Sequence, residues 1–380
     1  MRVCVIYDCL YPYTIGGAER WYRNLAGRLV SAGHDVTYLT MRQWPRGEQP
    51  VLEGVDIVAV APRMELYANG RRRIAPPLAF GAGVLRHLLG RGGHYDVVHT
   101  ASFPYFSLLA AGLARRVHRF RLLVDWHEVW TREYWREYLG PGGGRLGWSV
   151  QRRCARIPQR AFCFARLHER RLREIGLRGE VSVLEGEFAG PLEPPVPQPA
   201  EPVVVFAGRH IPEKRVLAVA HAVVAARKRL PDLRAEIYGD GPDRPKLLQL
   251  IAQLGLDGSV EAPGFVEGAR VEDALRRALC LVLPSRREGY GLVVVEAASV
   301  GTPSVVVADP DNAAAELIAE GENGFVAASA EPEQLADAIL SVHAAGATLR
   351  ERTAAWFGRN ARRLSLDNSL ATVLEEYGRG

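Results

Sequence analysis

Residues Pro284–Ser304, PSRREGYGLVVVEAASVGTPS, decide how the rest of the chain is read. The stretch starts as the end of a strand, passes through a glycine-bearing loop and enters a helix. Glu288 stands in the loop, Gly289 and Gly291 flank Tyr290, and Glu296 follows a little over two helical turns later. Carboxylates at this spacing lie on one side of a helix entrance, and the glycines let backbone N–H groups approach a ligand closely. A polyhydroxylated ligand suits such a site, because carboxylates accept hydrogen bonds from paired hydroxyls while amides donate to oxygen. The same letters also fit a plain βα turn with a solvated glutamate and a capped helix, and the stretch alone does not choose.

Outward from this stretch, the 380 residues exceed one ordinary core and fit two domains. Ordinary apolar and charged fractions exclude disordered and fibrous classes. The formal charge of +5 is carried almost wholly by arginine, since lysine occurs only at Lys214, Lys228 and Lys246. An arginine-rich, alanine-rich chain reflects GC-rich coding, which dilutes any inference of nucleic-acid binding and leaves a mild attraction for phosphate-bearing small molecules or anionic lipid. Cys4, Cys9, Cys154, Cys163 and Cys280 are scattered and odd in number, against both a disulfide framework and a zinc site. The opening MRVCVIYDCLYPY reads as a strand, with Asp8 where a signal peptide needs uninterrupted apolar residues, and no apolar run reaches membrane-spanning length. The expectation is a protein of the reducing cytoplasm.

In chain order, RVCVIYD (residues 2–8) is the apolar run of a buried parallel strand. A helix bearing Trp21, Leu25, Leu29 and Val30 follows, closed by Gly33, and DVTYLT gives the next strand. The Gly16-Gly17 pair sits where strand hands over to helix, as a phosphate or sugar contact or as a simple turn. The spacing does not match G-x-G-x-x-G, so the dinucleotide fingerprint is missing. Further βα units run through VDIVAV, the basic loop Arg71-Arg72-Arg73, YDVVHT and RLLVDWHEVW. Ligands of open α/β sheets gather at the carboxyl ends of strands, where His99 and His127 both fall. His99 reads first as a structural residue, while His127, beside Glu128, is placed to orient a substrate or exchange a proton with it. Arg145 to Arg173 is arginine-dense and helical in pattern, with Trp148, Val150, Phe162, Phe164 and Leu167 interleaved. It reads as a solvated face, with a membrane-surface or acceptor-docking face as the alternative.

Proline-rich residues 189–202 read as a stiff linker between a first domain of 1–188 and a second of 203–355. The βα rhythm restarts at VVVFAG, so two doubly wound domains joined by a hinge are expected to face a central cleft. GRHIPEKR (208–215) follows the first strand of the second half and places Arg209 and Lys214 at a strand-to-helix connection that favours anions, a diphosphate above all. A lysine in a chain that otherwise writes arginine points to a compact point charge. YGDGPDR, from Tyr238 and Gly239, and PGFVEG, with Phe265 and Val266 against a flat base, complete a nucleotide pocket on one edge of one domain.

The set GGAE, GRHIPEK, YGDGP, PGFV and PSRREGYGLVVVEAASVGTP resembles the retaining GT-B glycosyltransferases, in particular the sugar-nucleotide-dependent family 4, over nearly the whole chain. That resemblance implies that Gly208, Arg209 and Lys214 hold the donor diphosphate, that Glu288 holds donor-sugar hydroxyls with help from backbone amides of Gly289, Tyr290, Gly291 and Leu292, and that Glu296 holds the nucleotide ribose. It also implies that Gly16 and Gly17 reach the donor phosphates and that His127 stands near the reacting sugar. Catalytic roles are expected for His127, Arg209, Lys214 and Glu288. Many relatives carry a Gly-Gly pair ahead of the helix corresponding to AAELIAEGENGFV, where this chain has Pro310-Asp311-Asn312. Asp309 and Asp311 form a D-x-D by letter, but no metal and no cofactor are expected.

The expected donor is a UDP-sugar such as UDP-GlcNAc or UDP-Glc, and the acceptor a glycan, lipid-linked or small natural-product hydroxyl. His99, Trp126, Trp130 and Arg72 are candidate acceptor contacts, with Tyr134 and Trp135 as further stacking rings or as packing. The tail, with Trp356 and Phe357 near a break, is expected to cross back to the first domain as a helix over 356–380. Nucleic acid is not an expected partner, and the expected cytoplasmic location has peripheral contact at an inner membrane face as its alternative. The alternatives are a sugar-nucleotide epimerase or hydrolase on the same fold, or a basic non-catalytic binder of lipid or nucleic acid.

Overall fold

The computed structural model describes the chain apart from Ile15, Arg46, Asn69, Gly70, Arg379 and Gly380, with backbone only at residues 67, 68, 71 and 72. It divides into two compact units: Met1–Leu184 with Ser369–Gly380, and Glu185–Asn368.

The first unit runs β1 (Arg2–Ile6), α1 (Gly17–Ser31), β2 (Asp35–Met41), β3 (Val55–Ala61), a short antiparallel pair β4 (Tyr67–Ala68) and β5 (Arg71–Arg72), α2 (Ala75–Arg91), β6 (Val97–Ala101), α3 (Tyr105–Ala114), β7 (Arg121–Trp126), α4 (Arg132–Ala155), β8 (Arg160–Cys163), α5 (Arg166–Glu174) and β9 (Val181–Val183). Seven strands form a parallel sheet in the order β3-β2-β1-β6-β7-β8-β9. β1 is interior to it, which is why Val3, Cys4, Val5 and Ile6 are all apolar and fully buried. The strand order reverses between β1 and β6, and the crevice outside the carboxyl ends of these two strands is where a doubly wound sheet takes a ligand. On α1, Trp21, Leu25 and Leu29 repeat every four residues and are buried as one stripe. The arginine-dense stretch 145–173 is not one helical segment. Helix α4, kinked at Gly140, ends at Ala155, and RAFC becomes the buried strand β8 before α5 begins. Its apolar letters are too few for periodicity to separate strand from helix.

The second unit runs β10 (Val203–Ala207), α6 (Val216–Arg227), β11 (Arg234–Tyr238), α7 (Arg244–Gln253), β12 (Val260–Gly264), α8 (Gly268–Arg277), β13 (Cys280–Leu283), β14 (Arg287–Glu288), α9 (Leu292–Ser299), β15 (Ser304–Val307), β16 (Asp311–Asn312), β17 (Gly324–Ala327) and α10 (Pro332–Leu364). Its six-stranded parallel sheet, β12-β11-β10-β13-β15-β17, reverses between β10 and β13. In place of the helix expected over AAELIAEGENGFV there is one 3-10 turn, Ala313–Leu317, and then β17.

The boundaries between the units also differ from the expected ones. Residues 185–202 belong to the second unit: Phe188 bridges to Ser365 and stacks edge-on with Phe357 at 5.5 Å, while Pro194 lies over Gly358 and Pro197 over Gly301. The prolines are therefore packed against the unit they precede. Trp356 and Phe357 stay there as well, and only from Ser369, within α11 (Leu366–Gly378), does the tail belong to the first unit. Leu370, Val373 and Tyr377 share one buried face of α11. Arg121 donates to the carbonyl oxygens of Glu376 and Tyr377, the cation a helix C-terminus favours, and Arg160 pairs with the Glu376 carboxylate at 2.8 Å. Among the described residues no helix is long and apolar enough to cross a membrane.

Candidate active site

At the switch point of the second sheet, the chain leaves β10 through Gly208 and leaves β13 through Pro284 and Ser285. The Gly208 N–H donates to the Tyr238 carbonyl at 3.1 Å, and the Gly239 N–H to the Gly264 carbonyl at 2.9 Å, so the exits of β10, β11 and β12 are knitted into one floor. Phe265, next along, is 73% exposed, with an apolar ring free to cover a base. Arg209 is exposed, and Pro212–Lys214 makes a single 3-10 turn.

From that turn the Lys214 ammonium reaches Glu288 Oε1 at 2.5 Å, and Ser285 Oγ donates to the same oxygen at 2.7 Å. Glu288 is buried, so the pair is shielded from water and its attraction exceeds that of a surface ion pair. The carboxylate is placed by β14, which pairs in parallel with β16 through Glu288 and Asn312. Asn312 in turn donates to the Val307 carbonyl at 2.9 Å and accepts from the Ala314 N–H at 3.1 Å. The Pro310-Asp311-Asn312 segment that departs from the family's Gly-Gly is thus the support beneath Glu288. Gly291 caps α9 with φ 97°, and a Cβ there would stand 2.5 Å from the Ala314 methyl, so only glycine lets the helix start against that turn. Glu296 lies half-buried on the second turn of α9.

Lys214, Glu288 and the glycine floor are therefore gathered at one strand edge, and the side chains of Tyr238 and Tyr290 are engaged elsewhere. The Tyr238 hydroxyl donates to Glu236 Oε2 at 2.5 Å, and Glu236 also pairs with Arg277 of α8, so the ring is occupied away from the floor and only its backbone contributes. Tyr290 is buried and donates to the Glu185 carbonyl at 2.7 Å, with burial pushing its phenol well up. It is an anchor, and only its backbone is left for a ligand. Ser285 was missed by sequence reading, although a serine at a strand exit three residues before the key glutamate was a signal. A pocket of about 640 Å3 opens next to the same turn, lined by Pro212, Arg215, His221, Asp243, Lys246 and Asp309 and without Lys214 or Glu288. Arg215 and Asp309 pair there at 3.1 Å.

In the first unit, Gly16 precedes α1 in an extended conformation and Gly17 opens the helix. His127 follows β7 directly and is half-buried, its ring stacked on Phe164 at 4.6 Å, and its Nε2 has no hydrogen-bond partner among the described residues. Burial pushes the imidazole below its usual pKa, with Asp125 and Glu128 pulling the other way, so the ring is neutral at pH 7. His99 is fully buried between Asp125 and Tyr377, both of its ring nitrogens engaged there. Trp126 is fully buried too, its Nε1 donating to Gln159 at 2.9 Å, because the last residue of an interior strand faces the core. It is not a stacking platform, and Tyr134 and Trp135 are likewise buried. Trp130 remains half-buried at the edge of that aromatic cluster, held by Glu128 at 2.7 Å. The Arg72 side chain lies outside the described residues.

The His127 environment has a measurable consequence. A histidine whose pKa is lower folded than unfolded contributes stability in full above the unfolded value of 6.5, and that stability is lost as pH falls toward the folded value. The melting temperature should fall more steeply below pH 6.5 in wild type than in His127→Asn. Parallel curves would show that His127 does not titrate abnormally.

Residues 193–363 match the model described as glycosyl transferases group 1, and residues 15–185 match glycosyltransferase family 4. The glycogen synthase of Mycobacterium tuberculosis is 27% identical over 373 residues, covering 90% of this chain and 86% of the relative. Several other curated relatives align over less than half of their length, the chain spanning 15% of one of them. Sucrose-phosphate synthase from Thermosynechococcus elongatus superposes with a TM-score of 0.79 at 17% identity, covering 100% of this chain and 98% of that one. Anabaena HepE, solved in complex with UDP and glucose, superposes with a TM-score of 0.70 at 18% identity over 100% of both chains. With both halves matched in their expected order and both sheets wound as in GT-B structures, the chain belongs to the group 1 glycosyltransferases of GT-B fold.

Proposed function

We propose that the protein moves a sugar from a nucleoside-diphosphate donor, a UDP-sugar such as UDP-Glc or UDP-GlcNAc, to a hydroxyl of a glycan, lipid-linked or small natural-product acceptor, with retention of configuration and without a metal ion. The observation that carries this reading is the shielded Lys214–Glu288–Ser285 cluster at the β10/β13 switch point. The complex of HepE with UDP and glucose supports the choice of donor.

In this reading the second unit binds the donor. Phe265 covers the base, Glu296 takes the ribose hydroxyls, and Glu288 exchanges its ion pair for hydroxyls of the sugar. That exchange frees the Lys214 ammonium for the diphosphate, where Arg209 joins it. The anomeric C–O bond breaks toward the diphosphate as an oxocarbenium-like sugar forms, and the two cations offset the charge that develops on the leaving oxygen. The acceptor oxygen bonds to the same face of the anomeric carbon and its proton passes to the departing phosphate. The neutral His127 imidazole and Trp130 serve the acceptor side.

Melting wild type and Glu296→Ala against UDP, GDP, ADP and TDP without metal tests the donor site. UDP should stabilise wild type by about 2.7 kcal/mol at a hundredfold excess over Kd and leave the variant unmoved. No response to any nucleotide, even with magnesium, would overturn the reading in favour of a basic binding protein. UDP binding followed by donor hydrolysis or epimerisation with every acceptor would replace transfer by those reactions.

A further inference from the structure

The first unit contains a buried polar chain that ends beside His127 and starts in the last turn of the C-terminal helix. The Tyr377 hydroxyl lies 2.8 Å from His99 Nδ1, and His99 Nε2 lies 2.9 Å from Asp125 Oδ1. Trp21 Nε1 donates to Asp125 Oδ2 at 2.7 Å. Asp125 and His99 are fully buried, and Tyr377 is 1% exposed. The direction at Asp125 is fixed by chemistry, and the direction at Tyr377 follows from it for a neutral His99 ring. An ionised carboxylate only accepts, so His99 must carry its proton on Nε2. A neutral ring then leaves Nδ1 to accept from Tyr377, whose hydroxyl is kept protonated by burial.

Three features separate this chain from ordinary packing. Asp125 is a buried carboxylate with no lysine or arginine partner among the described residues, held by Trp21 and His99 with the Tyr22 hydroxyl beside it. Such a group costs stability that an apolar residue would not. Burial alone would push its carboxyl up, but His99, and after it His127 and Trp21, hold it below the usual range, so it keeps its charge. Second, that charge lies on β7 two residues before His127, and the Tyr22 ring meets both His99, at 6.4 Å, and His127, at 6.0 Å. Third, the Tyr377 hydroxyl is aimed from outside: Arg121 grips the carbonyls of Glu376 and Tyr377, and Arg160 grips the Glu376 carboxylate.

We infer that Tyr377 is a positioning residue for His127, acting through His99 and Asp125. The inference rests on the reading of His127 as a participant in sugar transfer. Tyr377 completes the tautomer that Asp125 imposes on His99, the completed pair holds the Asp125 carboxylate, and the carboxylate sets the field at the His127 ring. The other groups around His127 are the neighbouring Glu128, the Tyr22 ring of α1 at 6.0 Å and the stacked Phe164. None of these is supplied by the tail.

The test is Tyr377→Phe, which keeps the packing and removes the hydroxyl, compared with Val373→Ala, which loosens the same buried face of α11 without touching the chain. The His127 Cε1–H resonance, assigned by its loss in His127→Asn, is titrated in each protein. Asp125, released from the ordered His99 donor, turns more of its charge on His127, so the midpoint should rise by about half a unit or more in Tyr377→Phe. Val373→Ala should melt earlier with the midpoint unmoved. With a working donor and acceptor, Tyr377→Phe should lower kcat about tenfold, leave the donor KM within about twofold, and have no further effect in a His127→Ala background. An unmoved midpoint, or an equal loss of kcat with and without His127, overturns the relay. If no donor is turned over, the transfer reading fails while the titration still decides on the relay.

Discussion

Lys214→Ala is expected to lower the turnover of sugar transfer by about 10²–10³-fold, the loss that follows removal of one fixed donor from a developing oxyanion. The structure explains why so much rests on one side chain. The ammonium is held at the β10/β13 switch point by the Glu288 carboxylate at 2.5 Å, in a setting where each is largely screened from solvent. On the proposed mechanism the alanine variant loses the leaving-group cation, and it also leaves Glu288 with Ser285 as its hydroxyl partner on that oxygen. Lys214→Arg should recover only part of the activity, because a planar fork does not replace a point charge on a short turn. The check is the single-turnover release of nucleoside diphosphate at saturating donor. A fall of less than about tenfold in that rate would remove Lys214 from the chemistry and leave it a binding residue.

Gly239→Ala is expected to destabilise the second unit by about 2–5 kcal/mol and to abolish the melting response to UDP. Gly239 has φ 119°, outside the range of ordinary side chains, and a Cβ there would lie 1.9 Å from the Gly208 carbonyl oxygen. The backbone must move, and it moves at the joint where the exits of β10, β11 and β12 bond to one another. A fall in melting temperature on the order of 10 °C, with the nucleotide response gone, is the expected result. A variant that melts with wild type and still responds to UDP would show that the floor is not part of the donor site.

Much of this was readable from the residues. The interior strands announced themselves because strands buried on both faces are written as continuous apolar runs, as in RVCVI, VVVFA and CLVL. Lys214 and Glu288 stood out because glycine loops and charges at strand exits have few purely structural uses. What failed was whatever depended on contacts distant in sequence. The proline-rich residues 189–202 have no periodicity, so nothing in them says that they lie along Gly301 and Gly358. Trp126 looks like a stacking ring until its burial beside Gln159 is seen. The aspartate inside RLLVDW was a visible anomaly, a charge in a buried strand, but its partners His99 and Tyr377 are 26 and 252 residues away, and no local pattern connects them.

The return of α11 to the first unit also sets an order in time. A chain made from its N-terminus completes the first parallel sheet when β9 emerges, yet the helix that covers His99 and delivers Tyr377 is made only after the entire second unit. Until then the first unit carries an open apolar seam where Leu370, Val373 and Tyr377 belong, together with an Asp125–His99 pair lacking its third member. The two units therefore mature together: the first unit, made first, is finished last.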